Sequence, residues 1–141
     1  MTLYAESSAV LAWLFDQGPA DEVRATIGSA DLVVTSELLL IEAERALLRV
    51  VTLGLALPDE AMSRRIRLAT TVRPWSILPI STAVADRARQ AFPFDAIRSL
   101  DAIHLASAIL AQVSFGSVEV LTLDDRIREN AIALGFRVLP A

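Results

Sequence analysis

Short apolar segments alternate along this chain with longer stretches whose apolar residues recur at helical spacing. The short segments, typical of buried strands, cover residues 3–5, 32–35, 76–79, 118–122 and 136–139. The longer stretches cover residues 9–16, 21–27, 37–53, 58–69, 81–91, 99–113 and 124–134. Strands separated by helices predict a three-layer α/β/α fold with a central parallel sheet of about four to five strands. No linker-like segment divides the chain, so residues 1–141 are predicted to form one domain.

Serine residues mark the predicted starts of several helices. Ser7 or Ser8 is expected to cap the first helix, Ser36 the third, and Ser81 or Thr82 the fifth. In the third helix, the residues expected on one shared side are Leu38, Ile41, Ala46 and Leu48. We therefore expect Glu44, Arg45 and Arg49 to lie away from this apolar side.

The composition is that of a folded protein outside the membrane. Hydrophobic residues make up 54% of the chain and charged residues 21%. The longest uninterrupted apolar run, residues 9–15, is far shorter than the roughly 20 residues that cross a bilayer. The amino-terminal residues lack the basic region of a signal peptide. We therefore expect a soluble, cytoplasmic protein.

Two residue types are missing, and their absence narrows the chemistry. The chain has no cysteine, which excludes disulfides, thiolate catalysis and cysteine-bound zinc. It also has no lysine, because all 13 basic residues are arginine, and this excludes Schiff-base chemistry and a phosphate-binding loop lysine. Receiver domains and haloacid-dehalogenase-type phosphatases, which share a strand–helix alternation, fit poorly because both use a lysine.

Acidic residues stand where a ligand site of a parallel sheet is expected. Glu6 directly follows the first strand, and Asp124 follows the strand at 118–122. Asp101 lies in the first turn of the helix at 99–113, and Glu42 lies early in the third helix. Because ligands bind outside the carboxyl ends of parallel strands, these four carboxylates can converge at one edge of the sheet. For Asp101 and Asp124, helix capping remains an alternative, and Asp125 is expected on the solvent side.

Converging carboxylates favour a bound cation. Two like charges about 4 Å apart repel by about 4 kcal/mol near a protein surface, so a cluster either raises pKa values or binds a metal ion. Oxygen ligands without cysteine favour Mg²⁺ or Mn²⁺, which support hydrolysis of phosphodiesters. The net charge of −4 agrees with this hypothesis, since the chain holds 17 acidic residues against 13 arginines and the four candidate acids account for the whole difference.

Four segments, in this order, resemble a known family. They are LYAESSAV from Leu3, TSEL from Thr35 with Ile41 and Glu42 shortly after it, LDAIHLA from Leu100, and LTLDDR from Leu121. The chain resembles the PIN-domain ribonucleases and, among them, the VapC-type toxins of bacterial toxin–antitoxin pairs. The resemblance covers essentially the whole chain.

The resemblance implies an Mg²⁺-dependent endoribonuclease, with Mn²⁺ as a possible substitute. It implies catalytic and metal-binding roles for Glu6, Glu42, Asp101 and Asp124, and supporting roles for Ser8 and Thr122. Our mechanistic hypothesis is that Asp101 and Glu6 hold the ion, Asp124 binds it or a second ion, and Glu42 orients the attacking water. The family also implies homodimers and a VapB-type antitoxin that inserts a segment into the active-site groove. Arg98, shortly before Asp101, is the arginine that we expect to meet an RNA phosphate.

One residue departs from the family pattern and supports an alternative. The first-strand acid of the family is usually Asp, whereas this chain has Glu6. The extra methylene moves the carboxylate by about 1.5 Å, and Mg²⁺ tolerates little misplacement. The alternative is a weakened or silent PIN-like binding module that keeps its dimer and antitoxin contacts. The single histidine, His104, is expected to pack or to make a local hydrogen bond.

Overall fold

The computed structural model describes residues 1–141 and has five strands and seven helices. The strands are β1 Thr2–Ala5, β2 Leu32–Ser36, β3 Ser76–Leu78, β4 Val118–Leu121 and β5 Val138–Leu139. The helices are α1 Ser7–Leu14, α2 Ala20–Ser29, α3 Glu37–Thr52, α4 Pro58–Val72, α5 Thr82–Ala88, α6 Ser99–Phe115 and α7 Asp125–Ala133. None of these helices is both long enough and apolar enough to span a membrane.

All five strands belong to one parallel sheet. The strand order is β3-β2-β1-β4-β5, so the first strand of the chain lies at the centre. Within it, Tyr4 stands opposite Val34 of β2 and Val120 of β4. Because every neighbouring pair is parallel, the carboxyl ends of the strands share one edge of the sheet, which we call the carboxyl edge.

Helices cover both faces of the sheet. Leu3 and Ala5 of β1 point into an apolar cluster that includes buried residues of α1, α2, α3 and α4. Tyr4, which lies between them, points into a second cluster formed with α6 and α7. Alternate residues of the central strand are therefore buried on opposite faces. The predicted α/β/α architecture is confirmed, with the sheet at the upper end of the expected strand number.

The first helix begins at Ser7, two residues earlier than predicted. Its N-cap is Glu6, whose side chain accepts a hydrogen bond from the Ser8 N–H at 3.1 Å. The longer glutamate side chain can fold back onto this N–H, while the Ser7 hydroxyl is used elsewhere. The predicted caps Ser36 and Ser81 are confirmed, because each side chain accepts a backbone N–H of its helix.

The predicted apolar face of α3 is wrong in part. Its buried stripe runs through Leu39, Ala43 and Leu47, four residues apart, whereas Ile41 is 53% exposed and Leu48 is 48% exposed. At 100° per residue, Ile41 and Leu48 lie on the opposite side of the helix from this stripe. Helix α3 is apolar on two sides, and only one of them faces the core.

Candidate active site

The first half of the candidate site is a hydrogen-bonded group that we call the Glu6 cluster: Glu6, Ser8, Thr122 and Asp124. Glu6 follows β1, and Thr122 follows the adjacent β4. Glu6 Oε2 accepts hydrogen bonds from the Ser8 hydroxyl and, at 2.7 Å, from the Thr122 hydroxyl. Thr122 Oγ1 in turn accepts the Asp124 N–H at 3.1 Å. One threonine hydroxyl thereby links the acid of the central strand to the start of α7.

Asp124 combines a cap with a place at the carboxyl edge. It is the N-cap of α7, and its Oδ1 accepts the N–H groups of Arg126 and Ile127. Arg128 of the same helix donates to the Thr122 carbonyl at 2.9 Å, which fixes the end of β4. The capping alternative for Asp124 is therefore observed, and the cap lies at the edge of the sheet, next to Thr122.

The second half is the Glu42 cluster, which consists of Glu42, Ser7, His104 and Tyr4. Glu42 Oε1 lies 2.7 Å from the Ser7 hydroxyl and 2.7 Å from His104 Nε2. The other imidazole nitrogen, Nδ1, lies 2.9 Å from the Tyr4 hydroxyl. These side chains come from β1, α1, α3 and α6. His104 was expected to pack or to make a local hydrogen bond; it is buried, and its hydrogen-bond partners are distant in sequence.

The two glutamates have opposite electrostatics. Burial raises the pKa of Glu6 above its ordinary value, although the nearby His104 and the hydrogen bonds from Ser8 and Thr122 oppose this shift. Burial also acts on Glu42, but the hydrogen bonds from His104 and Ser7 outweigh it and hold the pKa of Glu42 below its ordinary value. Glu42 is therefore the more readily ionised of the two.

Asp101 and Arg98 lie at the start of α6, on the Glu42 side. Asp101 precedes His104 by three residues, so the two side chains share one face of the helix. Asp101 Oδ2 accepts the Arg98 N–H at 3.2 Å, which is the cap-like contact considered for it. Arg98 is exposed, and its guanidinium makes no hydrogen bond or salt bridge within the protein.

The four predicted acids offer oxygen ligands without forming a ready-made metal group. Each uses one carboxylate oxygen in the hydrogen bonds above and leaves the other, Oε1 of Glu6, Oε2 of Glu42, Oδ1 of Asp101 and Oδ2 of Asp124, without a protein donor. No three His, Asp or Glu side chains lie close enough together to hold an ion. The donor set fits Mg²⁺ in chemistry, and binding requires that the separated carboxylates approach one another.

A surface groove leads away from Glu42 along the exposed apolar side of α3. It encloses about 600 Å³, and its lining includes Ile41, Leu48 and Leu100 together with Arg45 and Arg49. The groove is mostly apolar but carries positive charge, and Glu42 stands in its wall.

Sequence reasoning did not assign two residues of the Glu42 cluster, Ser7 and Tyr4. Ser7 was considered only as a helix cap, and Tyr4 only as part of a strand. The available signal was weak: Tyr4 carries a hydroxyl and points to the face of β1 that is covered by α6. The same helix carries the single histidine of the chain, so a buried polar pair between them was a reasonable candidate.

A parallel sheet covered by helices on both faces, with acids at its carboxyl edge, defines the class of α/β domains whose ligand site lies at that edge. The chain belongs to the PIN domain family, whose model matches residues 3–133. It is 31% identical over 137 residues to Ribonuclease VapC46 of Mycobacterium tuberculosis strain ATCC 25618 / H37Rv, an alignment that covers 97% of this chain and 95% of that relative. It is 33% identical to Ribonuclease VapC35 of strain CDC 1551 / Oshkosh, with coverage of 95% and 83%.

Two solved structures share the fold at low sequence identity. A toxin–antitoxin complex from Klebsiella pneumoniae includes a chain that matches with a TM-score of 0.66 and 17% identity, covering 100% of this chain and 98% of that one. VapBC2 from Rickettsia felis, bound to a DNA fragment from its promoter, matches with a TM-score of 0.64 and 8% identity, covering 98% and 97%. These matches confirm the PIN-like architecture.

Proposed function

We propose that this protein is an Mg²⁺-dependent endoribonuclease and the toxin of a VapBC-type pair. The observation that carries the proposal is the set of four carboxylates around the carboxyl edge, each with one oxygen that no protein group occupies. Two relatives named ribonucleases align with nearly the whole chain, which supports the same activity. The substrate class follows from those names: RNA, cut by hydrolysis of a phosphodiester bond.

In this proposal the acidic side chains at the carboxyl edge have different roles. Glu6, Asp101 and Asp124 would hold the ion, and Glu42, the more readily ionised glutamate, would orient the attacking water. Bound Mg²⁺ would stabilise the charge that develops on the phosphodiester. The exposed guanidinium of Arg98 is free to contact an RNA phosphate. Attack by water would leave a 3′-hydroxyl and a 5′-phosphate.

The central test is cleavage of a structured RNA by the purified protein with and without Mg²⁺. We expect cleavage with Mg²⁺, none in EDTA, and a loss of at least about 100-fold in Asp124→Asn. The matched control is Asp125→Asn, because Asp125 is the next residue and its side chain is exposed; this variant should keep the parent rate. Equal cleavage in EDTA would contradict the proposal.

Metal binding can be tested without measuring activity. A cation near Glu6 stabilises the ionised carboxylate that burial disfavours. We therefore expect Mg²⁺ or Mn²⁺ to raise the Tm of the parent protein at neutral pH, and to raise it less in Glu6→Gln. An equal rise in Tm in both proteins would show that Glu6 does not bind the ion.

The alternative, a silent binding module, is favoured by one observation. The Glu6 side chain folds back as the N-cap of α1, and its Oε2 already accepts three hydrogen bonds, from the Ser8 N–H, the Ser8 hydroxyl and the Thr122 hydroxyl. The test is Glu6→Asp, which restores the usual family residue. If the parent protein is inactive and this variant cleaves RNA, the silent-module hypothesis is correct; if the parent is active, it is wrong.

The groove beside Glu42 is our proposed docking place for the antitoxin. The solved structures with this fold come from toxin–antitoxin assemblies. The apolar lining with Arg45 and Arg49 suits an amphipathic segment that carries acidic residues. Co-expression with a VapB-type antitoxin, sought as a small open reading frame immediately upstream of this gene, should yield a complex. Leu48→Glu should weaken this complex without changing the Tm of the protein, because Leu48 is exposed. A complex unaffected by this change would place the antitoxin elsewhere.

A further inference from the structure

His104 is a buried ionisable neighbour of the site to which the proposed mechanism gives no task. Its side chain is 2% exposed, and it contacts Glu42, Ser7 and Tyr4. We propose that His104 is a positioning residue that holds the Glu42 carboxylate in one orientation, with Tyr4 fixing the imidazole. This inference rests on the proposed function, because it assigns His104 a role through Glu42.

The hydrogen-bond partners define which imidazole nitrogen carries the proton. Tyr4 is buried, and burial raises the pKa of its hydroxyl far above the ordinary value, so the hydroxyl keeps its proton. Nε2 faces a carboxylate oxygen of Glu42, which only accepts hydrogen bonds. The arrangement that satisfies all these groups has the Tyr4 hydroxyl donating to Nδ1 and the Nε2–H donating to Glu42.

Ser7 completes the support for the carboxylate. Its hydroxyl donates to the same oxygen, Glu42 Oε1, at 2.7 Å and lies 2.8 Å from His104 Nε2. Two donors on one oxygen restrict rotation of the carboxylate and direct Oε2 away from both of them. Without His104, a glutamate with three rotatable side-chain bonds and a side chain 25% exposed can turn into solvent.

The arrangement contains more polar groups than packing alone requires. An apolar residue at position 104 would fill the same space and would not need a hydrogen-bonded hydroxyl from the central strand. Tyr4 and His104 are 1% and 2% exposed, and they meet with ring centroids 6.2 Å apart. Buried polar pairs are costly unless their groups are paired, so a pair that ends on a candidate site carboxylate indicates a role in orienting it.

A spectroscopic test is direct because the chain has only one histidine. In ¹⁵N-labelled protein at neutral pH, the two imidazole nitrogens should show a protonated Nε2 and an unprotonated Nδ1. Tyr4→Phe should shift the Nδ1 resonance most, and Glu42→Gln the Nε2 resonance most. A proton on Nδ1 in place of Nε2, or resonances that ignore both substitutions, would overturn the proposed arrangement.

The kinetic test uses two substitutions of His104 that differ in one donor. Gln can place an amide N–H near the position of Nε2, whereas Leu has similar bulk and no donor. In the RNA cleavage assay we expect His104→Leu to lower kcat by about 10- to 100-fold with little change in KM. His104→Gln should recover most of this loss. The control Leu105→Val changes the next buried residue of α6 and should leave kcat unchanged.

The outcomes separate this inference from the proposed function. Equal losses in His104→Gln and His104→Leu, or an equal loss in Leu105→Val, would show that His104 acts only through folding. If the parent protein is active and His104→Leu leaves kcat unchanged, only the positioning role of His104 is overturned. If the parent protein does not cleave RNA, or if its cleavage does not depend on Asp124, both the proposed function and this role are overturned.

Discussion

The Glu6 cluster and the Glu42 cluster are built from similar parts and behave differently. In each, a glutamate accepts a serine hydroxyl and a donor from a distant element. Yet the pKa of Glu6 lies above its ordinary value and that of Glu42 below it. The number of hydrogen bonds does not explain this, since Glu6 has the larger number.

The extent of burial explains the difference. Glu6 is 4% exposed, and all of its donors are neutral hydroxyl or amide groups. Glu42 is partly exposed, and its Oε1 accepts hydrogen bonds from Ser7 and His104. Desolvation acts on both carboxyls: at Glu6 it outweighs the opposing interactions, whereas at the less buried Glu42 the hydrogen bonds from His104 and Ser7 together outweigh it. In the absence of a cation, the Glu6 carboxyl is therefore harder to ionise than an ordinary glutamate, and the Glu42 carboxyl is easier to ionise.

The largest expected effect comes from removing the hydroxyl that links the Glu6 cluster. Thr122→Val deprives Glu6 of a donor and leaves the Asp124 N–H without its acceptor. Because Thr122 is fully buried, we expect a loss of about 2 kcal/mol in the free energy of unfolding. Ser7→Ala is the corresponding change in the Glu42 cluster. It should lower the free energy of unfolding by only about 1 kcal/mol, because water can replace the lost donor at the partly exposed Glu42. Urea unfolding measures both, and equal losses would contradict the difference in burial.

Neutralising each glutamate should change stability in opposite directions. Glu6→Gln removes a charge that burial disfavours, so in metal-free buffer at pH 7 we expect a Tm raised by a few degrees. Glu42→Gln replaces charge-assisted hydrogen bonds by neutral ones and should lower stability by about 1 kcal/mol. A destabilised Glu6→Gln would show that its hydrogen bonds outweigh its desolvation.

The pH dependence of these two variants should diverge. A carboxyl whose pKa is raised in the folded protein loses stability as pH rises from its ordinary pKa to the raised value, so the advantage of Glu6→Gln should grow with pH and then level off. A carboxyl whose folded pKa is lowered contributes stability above its ordinary pKa and loses it as pH falls. The deficit of Glu42→Gln should therefore shrink in acid. Denaturant titrations from about pH 3 to about pH 8 extend below and above the ordinary pKa of a glutamate and measure both trends.

The smallest expected effect concerns the cap at Asp124. Asparagine caps helices about as well as aspartate, so Asp124→Asn should change the free energy of unfolding by less than about 0.5 kcal/mol, whereas Asp124→Ala should cost about 1 kcal/mol. Thermal unfolding of the two variants checks this. A large loss in Asp124→Asn would mean that the charge, rather than the cap, stabilises this end of the Glu6 cluster.

Much of the fold could be predicted because local signals agreed with each other. Apolar segments of strand length, serine caps at Ser36 and Ser81, and glycine after α7 located the elements to within a few residues. The face of α3 could not be predicted in the same way, because its apolar residues occupy two sides and only packing selects Leu39, Ala43 and Leu47.

The acidic residues of the candidate site could be predicted from the sequence, but the hydrogen bonds between its side chains could not. Residues that follow parallel strands must lie at the carboxyl edge, which is why Glu6 and Asp124 could be singled out. The contact between Tyr4 and His104 joins residues 100 positions apart, and no local pattern encodes it. The cap role of Glu6 also escaped, because glutamate is an uncommon N-cap and Ser7 and Ser8 offered the usual alternative. The catalytic roles of the acids stay predictions.

The central position of the first strand has a consequence for synthesis of the protein. Strand β1 leaves the ribosome first, but its neighbour β4 and the hydroxyl of Thr122 are made only near the end of the chain. Until those residues emerge, Glu6 lacks its partner across the sheet, and Asp124 does not yet exist. A truncated or unfinished chain therefore cannot assemble the candidate site. In a protein proposed to degrade RNA, this order would keep the nascent polypeptide harmless to its own messenger.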